Sequence, residues 1–100
     1  MKKRFYTDFT EHCMRFYVTS PGIPPDFRSS ADKENWMACR DALKEFKDDT
    51  QKTLVSIFSD KRPISDCISD YVEKTGTKSD TIWYLVRELE RQIAEKRGLK

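Results

Sequence analysis

Apolar residues recur at helical spacing along almost the whole chain, in five stretches separated by Pro, Gly and polar capping residues. The first stretch sets Phe5, Phe9, Cys13 and Phe16 on one stripe flanked by Tyr6, Met14 and Tyr17, which predicts an aromatic-faced amphipathic helix over residues 4 to 18. Ser20-Pro21-Gly22-Ile23-Pro24-Pro25 ends it, because Pro disfavours helix in the residue before it and a double Pro holds the chain extended. Ser29-Ser30-Ala31-Asp32 then has the form of a capping box, and Trp36, Cys39, Leu43 and Phe46 keep helical period, so a second helix is expected near 30 to 46.

Asp48-Asp49-Thr50-Gln51 reads as a further cap, followed by a short helix faced by Leu54, Ile57 and Phe58. Asp60-Lys61-Arg62-Pro63 interrupts the pattern, and Pro63 suits the first turn of a fourth helix whose face is Ile64, Cys67, Ile68, Tyr71 and Val72. Gly76 closes that helix, and Thr77-x-x-Asp80 immediately after it is a fresh capping box. The fifth helix runs from about Lys78 to Lys96 with Ile82, Leu85, Val86, Leu89 and Ile93 on one face, and Lys96-Arg97-Gly98 stops it. The pattern gives an all-α chain of about five helices in a single domain over 1–100. An aromatic helix and Pro-rich connection occupy 1–28, and a helical core occupies 29–100.

Composition agrees with that pattern: 37% hydrophobic, 12% aromatic and 36% charged residues in 100 describe one small soluble globular domain. Three Gly and four Pro are too few for the many turns of a β-sandwich or barrel. No window approaches the length of an apolar membrane span, and Met1-Lys2-Lys3-Arg4 leads into Phe-Tyr-Thr-Asp rather than an apolar leader core. Three widely spaced cysteines, Cys13, Cys39 and Cys67, fit reduced thiols on helix faces better than a disulfide framework, which points to the cytoplasm.

Candidate chemistry is sparse. His12 is the single His and stands beside a lone Cys13, with no paired ligands at metal-binding spacing, so no metal or other cofactor is expected. Asp48 with Asp49 is a carboxylate pair that helix capping accounts for, and no nucleophile elbow, P-loop or Gly-rich dinucleotide turn is present. These absences point away from an enzyme. A net charge of +2 leaves any electrostatic signal to be local.

The two helices around Gly76 are the informative feature, since a supporting helix, a tight turn and a second helix with a free outer face make a helix-turn-helix, here over 63–97. With Ile82 at the centre of the buried face, Tyr84, Arg87 and Arg91 fall opposite it and Trp83 lies at the border. Arg suits bidentate contacts with guanine edges and phosphates, Tyr reaches phosphate or sugar, and Lys78, Ser79 and Thr81 sit at the first turn, where backbone N–H groups favour a phosphate. The same arginines also fit a salt-bridged face, with Glu90 three residues after Arg87 and with Glu88 and Glu95 flanking Arg91.

From Leu43 to Leu99 the order of residues resembles the sigma factor region-four family of helix-turn-helix domains found in small sigma-like proteins of phages and integrative elements. Leu43-Lys-Glu-Phe-Lys-Asp-Asp-Thr-Gln-Lys-Thr-Leu-Val-Ser-Ile-Phe looks like the family's lead-in helix, and Pro63-Ile64-Ser65 through Tyr71-Val72-Glu73-Lys74-Thr75-Gly76 is similar to its supporting helix. Thr81-Ile82 fall where the family commonly has Thr-Val near the start of its recognition helix. The resemblance implies DNA-facing roles for Lys78, Ser79, Thr81, Trp83, Tyr84 and Arg87, with Arg91 next. The chain departs from the family at Thr77, in a longer supporting helix, and in Glu88, Glu90 and Glu95. The aromatic first helix, the Trp-led second and the Ala-Glu-Lys-Arg-Gly-Leu ending are similar to mobile-element proteins of Firmicutes.

Double-stranded DNA is therefore the expected partner, in transcription control for a phage or mobile element. A charge of +2 calls for a homodimer or docking on RNA polymerase to reach useful affinity. Phe5, Tyr6, Phe9 and Tyr17 are the candidate docking residues, although the same rings could complete a small core. The rival expectation keeps the fold and makes it a protein-interaction module, an adaptor or an inhibitor of a host or rival nucleoprotein.

Overall fold

A computed structural model describes residues 4–19, 27 and 29–99, and these contain five α-helices and no strand. The elements are α1 (Thr7–Tyr17), α2 (Ser30–Leu43), α3 (Asp48–Ser59), α4 (Ile64–Thr75) and α5 (Ser79–Lys96). The Pro-rich connection at 20–25 lies outside the described residues. α1 begins three residues later than the aromatic stripe suggests, because Phe5 and Tyr6 form a turn in which the Thr7 hydroxyl accepts from the Arg4 N–H at 3.0 Å.

The caps decide where each helix starts and stops. Ser29 caps α2 as expected, its extended backbone letting Oγ accept from the Asp32 N–H at 3.2 Å. At α3 the expected side-chain cap is absent: Lys47 holds the cap position, Asp48 and Asp49 occupy the first turn, and Gln51 Nε2 reaches back to the Phe46 carbonyl at 2.8 Å. The two carboxylates therefore act on the helix dipole rather than on individual N–H groups. α2 also stops at Leu43, so Phe46 belongs to the turn and packs on the core from there.

Gly76 ends α4 in the left-handed conformation at φ 73°, its N–H donating to the Val72 carbonyl at 2.9 Å. The box expected from Thr77 does not form, because Thr77 Oγ1 accepts from Thr75 Oγ1 at 2.9 Å and Lys78 holds the cap position of α5. α5 closes on Gly98 at φ 75°, with the Leu99 N–H bonded to the Ala94 carbonyl at 2.8 Å and the Gly98 N–H to Glu95 at 3.1 Å, the pair of bonds that defines a Schellman stop.

α1 packs against α2, α3 and α5, α2 packs against α5, and α4 bridges α3 and α5. Trp36 is 1% exposed at the centre of the α1–α2 contact, with the Tyr17 ring at 5.2 Å, the Phe27 ring at 6.1 Å and the Arg40 guanidinium over the indole at 5.6 Å. Cys13, Cys39 and Cys67 are free thiols in this interior. Burial pushes Cys13 up to about 11 and raises Cys39 and Cys67 as well, so all three stay protonated and behave as small apolar side chains.

Two arginines fasten distant segments. Arg15 of α1 donates to the carbonyls of Asp60 and Arg62 at 2.6 and 2.7 Å, holding the α3–α4 connection, and the Cys67 thiol donates to the same Arg62 carbonyl at 3.4 Å. Arg97 after α5 donates to Asn35 Oδ1 at 2.6 Å and Glu34 Oε2 at 2.8 Å, tying the end of the chain to α2. No described helix is long and apolar enough to cross a membrane.

Candidate nucleic-acid interface

α4 and α5 are joined by Gly76, Thr77 and Lys78 alone, so the start of α5 is fixed relative to the end of α4. The inner face of α5 buries Ile82, Val86, Leu89, Ile93 and Ala94. At about 100° per residue the opposite stripe runs Thr81, Tyr84, Glu88, Arg91 and Glu95. Thr81 is exposed and Tyr84 is 60% exposed, while Lys78 and Ser79 are exposed at the helix start beside the equally exposed Asp80. These four candidates share one free end of α5.

The remaining candidates are not free. Arg87, expected on the outer face, is withdrawn to 15% side-chain exposure: it bonds Glu90 Oε1 at 2.7 Å and lies over the half-buried Trp83 ring at 4.8 Å. The cause is the position of Glu90, which falls only about 80° round the helix from Ile82 and is drawn inside with the apolar face to 1% exposure. A carboxylate buried that deeply requires a cation beside it, and Arg87 three residues earlier is in reach. Trp83 serves as the platform for that cation.

Arg91 keeps 36% side-chain exposure but is bracketed by carboxylates, with bonds to both oxygens of Glu88, that to Oε2 at 3.0 Å, and to Glu95 Oε2 at 2.9 Å. Both raise the affinity of its guanidinium for the proton still further. α4 adds no positive field, since its exposed positions include Asp66 and Glu73 against Lys74, and its Asp70 pairs with Arg62. Arg62 also bonds Asp60 Oδ2 at 2.6 Å and holds that carboxyl down to about 2.

In α1 and the turn before it the four candidate docking rings separate into two pairs. Tyr6 and Tyr17 are each 6% exposed and belong to the interior, so they complete the core rather than offer a surface. Phe5 at 83%, in the turn before α1, and Phe9 at 37%, in its first turn, stay in contact with solvent. Among the described residues no cluster of three or more His, Cys, Asp or Glu side chains could hold a metal ion.

Sequence reasoning missed the Arg15 and Arg97 tethers and the depth of Glu90, because partners far apart along the chain leave no local signature. It also missed an open groove of about 460 Å³ lined by Tyr17, Leu43, Asp48, Gln51, Lys52, Val55 and Ser56, which exists only where α1, α2 and α3 meet. No family model, curated protein or solved structure matches this chain.

Proposed function

We propose that the chain binds double-stranded DNA through a helix-turn-helix formed by α4, the Gly76 turn and α5, in transcription control for a phage or mobile element. One observation carries the reading: the first two turns of α5, fixed by a short turn after α4, leave Lys78, Ser79, Thr81 and Tyr84 in solvent while the inner face is fully packed. An ammonium, two hydroxyls and a phenol at the start of a helix are groups that donate to phosphate oxygens. The resemblance of residues 43 to 99 to sigma factor region four supports the same reading.

Fluorescence anisotropy of a labelled mixed-sequence duplex over a salt series tests it. Binding that weakens with salt is expected, with the slope shallower by about one unit in Lys78→Ala, since each lost phosphate contact removes about that much. Absence of binding at low salt would overturn it.

A second reading, a protein-interaction module, is favoured by a different observation. Phe5 in the turn before α1 and Phe9 in its first turn place two solvent-exposed rings at the start of that helix, away from the α4–α5 turn in sequence. Phe5→Ser with Phe9→Ser leaves DNA binding intact under the first reading and removes partner binding under the second.

A further inference from the structure

Base readout in the major groove relies on side chains that can form two directed bonds with a base edge, chiefly Arg, Lys, Asn and Gln. At the cap of α5 and along it the residues of this kind are Lys78, Arg87, Arg91, Gln92 and Lys96. Arg87 is held against buried Glu90 and the Trp83 ring, so reaching outward would strand a carboxylate that is 1% exposed. Gln92 is half-buried with Nε2 on Glu88 at 3.4 Å, and Lys96 lies in the last turn.

Arg91 is reachable, yet Glu88 and Glu95 stand beside it on the same outward stripe. That triplet carries a net charge of −1 and would meet the negative field of a groove, which keeps the second half of α5 away from the duplex. The groups left at the free end of α5 are the hydroxyls of Ser79, Thr81 and Tyr84, which fit phosphate and sugar, and the Lys78 ammonium, a single point charge without the planar fork of Arg that suits phosphate as well as a base edge.

Resting on the duplex reading above, we infer that α5 holds the sugar–phosphate backbone of DNA with little discrimination between base sequences. The buried pairing of Arg87 and the carboxylates that bracket Arg91 are the reason, and any choice of site is then supplied from outside α5. The consequence is distinct from simple DNA binding, because a helix that reads bases separates its target from other sequences by about a thousandfold or more.

Successive rounds of selection by the full chain from a random-sequence duplex pool, with sequencing and anisotropy of the retained pool, decide the matter. The expected result is salt-sensitive binding of the starting pool, no enriched consensus, and a retained pool that binds within about threefold of the starting one. A consensus binding about tenfold or more tightly than the starting pool would overturn the inference and leave the DNA reading standing. If the starting pool does not bind even at low salt, both fail together. In a parallel arm, Glu88→Gln with Glu95→Gln frees Arg91 and is expected to steepen the salt slope by about one unit; an unchanged slope would show that this stripe never faces the duplex and would remove the charge argument on which the inference stands.

Discussion

Arg87 sits between a carboxylate that is 1% exposed and the face of an indole, and its removal uncovers the buried charge of Glu90. Arg87→Met is expected to destabilise the fold by about 2–4 kcal/mol, somewhat under the usual cost of breaking a buried pair because the guanidinium retains some solvent contact. Arg87→Met with Glu90→Met should recover most of that loss, since replacing both partners removes the stranded charge. Urea midpoints of the two variants check this, and equal losses would show that the pair is not the source. The arginine and the glutamate three residues after it are plain in the sequence, but which of them is interior is not. Glu90 borders the apolar face by angle, and only the packing of α5 onto its neighbours draws it in.

Asp60 is a second residue whose surroundings set its behaviour. The Arg62 guanidinium holds its carboxyl at about 2, below the ordinary 3.8. A lowered folded value means that the associated stability is present above about pH 4 and is lost as the pH falls toward 2. Acid titration of thermal stability should show a shallower loss over that window in Asp60→Asn, and an identical profile would mean that the bond contributes nothing in water. Cys13 acts in the opposite direction: with its folded value at about 11 against an ordinary 9.0, its contribution is full below pH 9 and falls as the pH rises through 11.

At the scale of elements, the stops are better marked than the starts. Gly76 and Gly98 take positive φ values of 73° and 75°, and a Cβ at either would meet no atom within 4 Å, so the whole cost of Gly76→Ala is backbone strain, about 1–2 kcal/mol. Thermal denaturation of Gly76→Ala measures it, and a neutral result would mean that the turn relaxes to a different geometry. Of the three capping signals read from the sequence, the one at Ser29 formed and those at Asp48 and Thr77 did not. Nearby groups compete for the same hydroxyls and N–H atoms: Thr75 takes the Thr77 hydroxyl, and Gln51 satisfies the turn before α3.

For the whole molecule, the core is built from all five helices around Trp36, Phe58, Met14, Leu54, Ile68, Leu89 and Ile93. Trp36→Ala is expected to cost about 3–5 kcal/mol, a large part of the total stability of a domain this size. Loss of the cooperative transition, or a midpoint shift of that order in urea, checks it; a small effect would place the energetic centre elsewhere. The tethers from Arg15 to the α3–α4 connection and from Arg97 to α2 close the bundle at positions where the apolar pattern is silent.

The number, order and type of the elements were determined by the sequence alone, because apolar period, Pro and Gly act locally and each helix carries its own signal. The exposed end of α5, with Lys78, Ser79, Thr81 and Tyr84, was legible for the same reason. Tertiary structure decided which charges are free. Whether Arg87 faces solvent, whether Tyr6 and Tyr17 fill the interior, and which carbonyls Arg15 holds depend on the surfaces that neighbouring helices bring, and the cost of burying a charge or leaving a cavity is set only when those surfaces meet.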